Sequence, residues 1–185
     1  MEKLYEQDAF IVKFEAKVLS CAKGKKGFDI ILDRTAFYPE GGGQPYDTGR
    51  LETGGTFDKV KVLEVHSRDG EIVHTCNHPL EPGAEIIGVI DWDRRFDLMQ
   101  QHSGEHIVSG LAHSLWGCEN VGFHLGAEVV TIDFDRPLTE KQFATLEETA
   151  NWRLWHLWQI NEPVKITYPS PEELEHIRYR SKKAL

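Results

Sequence analysis

The sequence predicts an α+β protein that opens with a small antiparallel β-barrel, on the strength of two observations. The first is a change of hydrophobic period. Apolar and polar residues alternate up to about residue 90, and a repeat of three to four residues takes over beyond it. The second is the punctuation of the first half by Gly24, Gly27, Gly41 to Gly43, Gly49, Gly54-Gly55, Gly70 and Pro82-Gly83, which cuts it into short segments.

Taken in order, alternation predicts strands over 10–20, 28–32, 60–65, 72–75 and 86–90. Asp93 then stands where it can cap a helix over 94–116, which Gly117 stops. Residues 128–134 read as a further strand. Thr139-x-x-Gln142 is a capping box that opens a second helix running to about residue 160, with Phe143, Leu146, Ala150, Leu154, Leu157 and Trp158 on its inner side. Trp152, Trp155 and Trp158 recur at steps of three and suggest an exposed or interface stripe. A strand over 164–168 and a short helix opened by Pro171, carrying Glu172, Glu173 and Glu175, complete the set. The expected domains are a glycine-rich barrel over 1–90 and an α+β domain over 91–185, joined without a linker.

Composition narrows the function classes. With 185 residues, 40% of them hydrophobic, the chain can bury one good core or two small ones. No apolar run approaches the ~18–20 residues of a membrane helix, and Met1-Glu2-Lys3-Leu4-Tyr5-Glu6 lacks a signal peptide's apolar core, so a cytoplasmic location is expected. Cys21, Cys76 and Cys118 are widely spaced and odd in number, which predicts free thiols. A net charge of −9 argues against nonspecific coating of duplex nucleic acid. Local basic patches remain at Lys23, Lys25 and Lys26, at Arg94 and Arg95, and over 178–183.

Chemistry concentrates in His102-Ser103-Gly104-Glu105-His106. Residues i and i+4 share a helix face, so both imidazoles can meet one zinc ion, which takes three or four such ligands. Arg95, Met99, His102, His106, Gly110 and His113 fall at helical steps beside Phe96, Ile107, Leu111 and Leu115, so the histidines are expected to border the buried face. A second motif is Phe37-Tyr38-Pro39-Glu40-Gly41-Gly42-Gly43-Gln44-Pro45, followed by Asp47 and Gly49. Three glycines suit a hairpin turn, or a loop whose backbone N–H groups face an anion or a carbonyl.

With the glycine motif preceding a His-x-x-x-His helix, the chain resembles the editing domain of alanyl-tRNA synthetases and its free-standing relatives, the AlaX proteins. Gly122-Phe123-His124-Leu125-Gly126 adds to the resemblance. The resemblance implies a second half built like the editing domain shared with threonyl-tRNA synthetase. It also implies hydrolysis of wrongly charged tRNA(Ala), chiefly the seryl ester, with the tRNA acceptor end carrying serine or glycine as partner. Zinc is the implied cofactor, bound in that family by three His and one Cys, the last two from a Cys-x-x-x-His pair that this chain lacks. A truncated gene product is the simplest expectation, although Met1 at the start of the barrel suggests a free-standing protein. His102 and His106 therefore carry over as ligands, with His113, His124 or Cys118 as alternative completions. The resemblance further implies that Thr35 and Gln44 lie near the substrate, with Thr35 facing a serine hydroxyl and Gly41, Gly42 and Gly43 bounding the pocket beside Phe123 and His124. Glu105 is the candidate general base.

Two other readings compete. His-x-x-Glu-His is also the inverzincin metallopeptidase signature, which would take a third ligand from Glu172, Glu173 or Glu175. A non-catalytic module that binds the tRNA acceptor end is the other.

Overall fold

Alternation along β2, Lys13–Lys23, buries Phe14, Ala16 and Val18 between exposed Lys13, Glu15 and Lys17, as one-sided burial of a strand requires. The same pattern repeats in β3, Phe28–Leu32, in β6, Lys59–Arg68, and in β8, Glu85–Ile90, with β7, Glu71–Cys76, buried along most of its length. Together with β5, Gly49–Thr53, they close into an antiparallel barrel of order β2-β3-β7-β6-β5-β8. Its core contains Val18, Ile30, Leu32, Phe37, Leu51 and Val65. Two short strands, β1 over Glu2–Lys3 and β4 over Arg34–Thr35, pair in parallel outside it. The computed structural model describes residues 1–54, 59–126, 128–161 and 169–176.

Two local features show how residue choice sets the barrel. Asp69 and Gly70, with φ of 51° and 84°, form the two-residue turn between β6 and β7, a conformation that Asp-Gly favours. In β8, a Cβ on Gly88 would lie 2.4 Å from the Phe14 ring, so the ring occupies the space the glycine leaves. The sixth strand, β5, is the one the sequence reading omits. Leu51 is its only large apolar residue and Gly49 reads as a turn signal, so its alternation is too sparse to stand out.

The change of element type falls where the change of period predicts it, between Ile90 and helix α1, Trp92–Trp116. By compactness the chain divides differently, into one unit of Met1–Ser103 with His124–Thr131 and another of Gly104–Phe123 with Ile132–Leu185. α1 starts a little earlier than expected, so Asp93 lies inside its first turn. Its end matches: Gly117, at φ 64°, donates its N–H to the His113 carbonyl.

In the second unit, Ala112, Cys118 and Leu146 form a core packed by Val108, Leu111, Trp116, Phe134 and Leu138. Helix α2, Glu140–Gln159, begins with the expected capping box of Thr139 and Gln142. Its inner side is shorter than expected. Leu146 and Ala150 are buried, whereas Phe143, Leu154, Leu157 and Trp158 are exposed, as are Trp152 and Trp155. Helix α3, Pro171–His176, lies where Pro171 predicts it. β9, Asn120–Leu125, and β10, Val130–Phe134, form a two-stranded sheet, of which the sequence reading contains only the second. The strand expected over 164–168 and the basic run over 178–183 lie outside the described residues. No helix among the described residues is long and apolar enough to cross a membrane.

Candidate functional site

The glycine motif is held from beneath by a buried ion pair. Asp47 Oδ2 accepts from the Tyr38 N–H at 2.6 Å, from Arg95 Nε at 3.0 Å and from Arg95 Nη2, which also donates to the Ala36 carbonyl. Arg95 Nη1 donates to the carbonyls of Ala9 and Ile11. A charged pair this deep costs several kcal/mol per ion in desolvation, which the contacts of Asp47 Oδ2 offset in part, while Asp47 Oδ1 is buried without a hydrogen-bond partner among the described residues. Arg95 thus serves the interior. Arg94 donates to the Tyr46 carbonyl at 3.1 Å and covers the Tyr46 ring, so neither arginine forms the basic surface the sequence suggests. Lys26 pairs with Glu64 at 2.5 Å.

Above the ion pair, Gly41 and Gln44 exchange backbone hydrogen bonds of 3.1 and 2.9 Å around Gly42 and Gly43, at φ 60° and 86°. This is the tight hairpin turn, of the kind that needs positive φ at both central residues. Gly42 and Gly43 are exposed, while the Gly41 carbonyl also accepts from the Tyr38 hydroxyl at 3.0 Å. The turn aims the buried Gln44 side chain at α1, where its Oε1 accepts from His102 Nδ1 at 2.9 Å. A histidine that donates through Nδ1 offers Nε2 as its metal-binding nitrogen.

Thr35 and His74 form a second buried polar pair. His74 Nδ1 donates to the Ile30 carbonyl at 3.1 Å, so Nε2 is an acceptor and takes the Thr35 hydroxyl proton at 2.9 Å. Thr35 Oγ1 in turn accepts from the Phe37 N–H at 3.0 Å. Burial outweighs the bond to Ile30 and pushes the His74 imidazole down to about 4, which keeps it neutral at physiological pH. Thr35 has no exposed surface in this structure.

Along α1 the buried stripe runs through Arg95, Leu98, Glu105, Ser109 and Ala112. The expected stripe is rotated from this one. His102 is partly buried, but the His106 side chain is 66% exposed, and Phe96 and Leu115 are exposed too. Arg95 stands in both stripes; the residue hydropathy misses is Glu105, whose carboxylate is met by Asn120 and by the neighbouring Ser109. Glu105 Oε1 accepts from the Ser109 hydroxyl and from Asn120 Nδ2 at 2.5 Å, and Oε2 lies 3.3 Å from His106 Nδ1. On this one helical turn His102, Glu105 and His106 bring ligand atoms within 4.8 Å of one another, and two imidazoles with a carboxylate are donors that suit zinc.

A family model described as tRNA synthetases class II (A) matches residues 3–94. The mouse alanyl-tRNA editing protein Aarsd1 is 35% identical over 168 residues, which cover 83% of this chain and 39% of the mouse protein. The alanyl-tRNA editing protein AlaX-M of Methanosarcina mazei is 37% identical over 158 residues, 81% of this chain and 62% of that protein. Over most of its length this chain is similar to the alanyl-tRNA editing proteins. The alanine–tRNA ligase of Pyrococcus abyssi is also similar, 38% identical over 157 residues that make up 16% of the ligase. The chain spans 39% and 41% of the length of the mouse and cattle editing proteins.

Among the described residues of this alanyl-tRNA editing relative, none of the alternative ligands joins the His102, Glu105, His106 group. Cys118 is buried in its own core, and His113 Nδ1 lies 3.2 Å from Glu119. His124 is exposed and Phe123 partly buried on β9. Glu172 and Glu175 stay outside the group, as does Glu173, which accepts the Ser170 N–H at the start of α3. A concavity of about 590 Å³, lined in part by Arg50, Lys59, Lys61 and Asp91, contains none of the candidate catalytic, substrate or metal residues named from the sequence. His74, Ser109 and Asn120 are the polar residues the sequence reading misses. For His74 a signal exists: it occupies a buried position in the run Ile72, Val73, Thr75 and Cys76 that follows Glu71 in the strand.

Proposed function

We propose that this chain carries the catalytic zinc histidines of an aminoacyl-tRNA deacylase that hydrolyses mischarged tRNA(Ala), chiefly the seryl ester and secondarily the glycyl ester. The observation that carries the reading is the hydrogen bond from His102 to Gln44, in a chain similar to the alanyl-tRNA editing proteins. It ties a ligand of the expected metal to the glycine motif.

In this reading His102 and His106 hold zinc. When bound, zinc supplies Lewis-acid activation of an ester and of the attacking water. Gln44 keeps the His102 ring in one tautomer. Thr35, its hydroxyl donating a hydrogen bond to His74 Nε2, acts as a buried support of the loop. Exposed Gly42 and Gly43, together with Phe123 and His124, are assigned to the amino-acid and acceptor-end side of the substrate. Selection of serine over alanine requires polar groups that only a hydroxyl can satisfy, since an apolar pocket discriminates weakly.

The test is elemental analysis of the purified chain for zinc, beside a His102→Ala, His106→Ala variant, followed by deacylation of seryl-tRNA(Ala). Zinc near one per chain that is lost in the variant, with ester hydrolysis that falls alongside it, supports the reading. A chain that hydrolyses seryl-tRNA(Ala) equally well without zinc refutes the metal assignment. Tight binding of the acceptor end without hydrolysis returns the non-catalytic module.

A further inference from the structure

In a chain whose net charge is −9, the outer face of the barrel between β5 and β6 gathers three cations around one carboxylate. Alternate side chains of a strand share a face, so Arg50 and Glu52 on β5 stand beside Lys59 and Lys61 on β6. The register sets Arg50 directly opposite Lys61, and Glu52 opposite Lys59. On the other side Arg50 pairs with Val89, which pairs with Lys13 of β2, so the row of cations continues across the sheet. Arg50 Nε donates to Glu52 Oε1 at 2.6 Å, and Arg50, then Lys59 and Lys13, hold the Glu52 carboxyl below the usual carboxylate range. Among the described residues, Lys13, Lys59 and Lys61 have no ion-pair partner. Like charges placed directly opposite destabilise an antiparallel pair, so Arg50 and Lys61 weaken the barrel unless an anion meets them.

Arg50, Lys59 and Lys61 also line the concavity of about 590 Å³, together with Asp91, Trp92 and Asp93. Trp92 stacks on Phe96, with 5.4 Å between ring centres, and meets Phe10 at 5.7 Å; both phenylalanines are exposed. Cations alone would suit any polyanion. The two aspartates repel an acidic peptide or an anionic lipid surface, but they accept hydrogen bonds from hydroxyl groups. Asp91 Oδ2 already accepts the Thr48 hydroxyl at 3.2 Å. RNA offers the combination these residues suit, phosphates for the cations, ribose 2′-hydroxyls for a carboxylate and flat bases for an aromatic ring. We propose that this face of the barrel docks the backbone of an RNA stem, with phosphate on Arg50 and Lys61 and a ribose hydroxyl toward Asp91 or Asp93. The identity of that stem, the acceptor stem of tRNA(Ala), rests on the deacylase reading. All of these residues lie in one compact unit.

Fluorescence anisotropy of a labelled RNA minihelix with the tRNA(Ala) acceptor-stem sequence, titrated with the full chain at several salt concentrations, tests the docking face. In the wild type log K should fall linearly with log salt. Lys59→Gln and Lys61→Gln should each weaken binding and make that slope shallower by about one, whereas Lys141→Gln, on α2, should change neither. Lys61→Glu should weaken binding further yet keep or raise the urea midpoint, because a carboxylate opposite Arg50 removes the like-charge pair. A DNA hairpin of the same sequence, without the 2′-hydroxyls, should bind more weakly. Lysine variants that bind the minihelix with wild-type affinity and slope would overturn the docking face, as would a wild type without measurable RNA binding. Equal affinity for the DNA hairpin, or displacement of the RNA by poly-glutamate at equal charge, would overturn the assignment to RNA. Hydrolysis of seryl-tRNA(Ala) by a wild type whose lysine variants bind normally would defeat this face and leave the deacylase reading standing. Lysine-dependent RNA binding by a chain that neither takes zinc nor hydrolyses the ester would uphold the face and defeat the catalytic reading.

Discussion

Gln44 Oε1 accepts a 2.9 Å hydrogen bond from His102 Nδ1 across 58 residues of sequence, joining the glycine turn to the histidine helix. Gln44→Leu removes the acceptor while keeping an apolar body of similar size. Zinc affinity should drop about 10–100-fold in a chelator competition, with far-UV circular dichroism unchanged. Gln44→Glu retains an acceptor and should recover most of the affinity. Equal zinc affinity in wild type and Gln44→Leu would show that the bond does not serve the metal.

The Arg95–Asp47 pair anchors the loop that carries Gln44. Arg95→Met leaves the Asp47 carboxylate buried without its cation and should cost about 3–5 kcal/mol of stability in urea unfolding. Adding Asp47→Leu to that variant should return part of the loss, because the uncompensated charge disappears. A single Arg95→Met variant within about 0.5 kcal/mol of wild type would mean the pair is solvated, since only surface substitutions are that mild.

His74 predicts a pH dependence of known sign. Its folded-state value of about 4 lies below the ordinary imidazole value of 6.5, so the unfolded chain binds the proton more readily between the two. The contribution to stability is therefore complete above pH 6.5 and lost as pH falls toward 4, amounting to about 3 kcal/mol in total. Urea midpoints measured across this window should fall in the wild type, and the His74-dependent part of the fall should vanish in His74→Leu. A wild-type profile that is flat from pH 6.5 to 4 would contradict the burial of a neutral imidazole.

The Thr139 side chain caps α2 by accepting the Gln142 N–H, and the Gln142 side chain accepts the Thr139 N–H in return. Thr139→Ala should lower stability by about 1 kcal/mol, read as a reduced Tm. No change would mean that the helix end is held by its tertiary contacts alone.

The sequence by itself determined the barrel strands with the clearest alternation, the glycine turn, the start of α2 that capping chemistry marks, and the placing of His102 and His106 on one helix face. These are local in origin, set by a strand period of two, by positive φ at Gly42 and Gly43, by the Thr139 cap and by the geometry of one helical turn. The similarity to alanyl-tRNA editing proteins was legible too, from the contiguous glycine and His-x-x-x-His motifs. The tertiary structure decided which side of α1 is buried, and it chose a face with Arg95 and Glu105 on it. A charged residue reads as exterior until its partner is known. Here the partners are Asp47 for Arg95, and Asn120 together with the neighbouring Ser109 for Glu105. Closure also decided the place of β5, whose sparse pattern becomes a strand because β6 and β8 supply hydrogen-bond partners on both sides. The hydrogen-bond partners of Gln44, His74 and Glu105 come likewise from tertiary contacts, since a buried polar atom takes its partner from the group it meets across the fold.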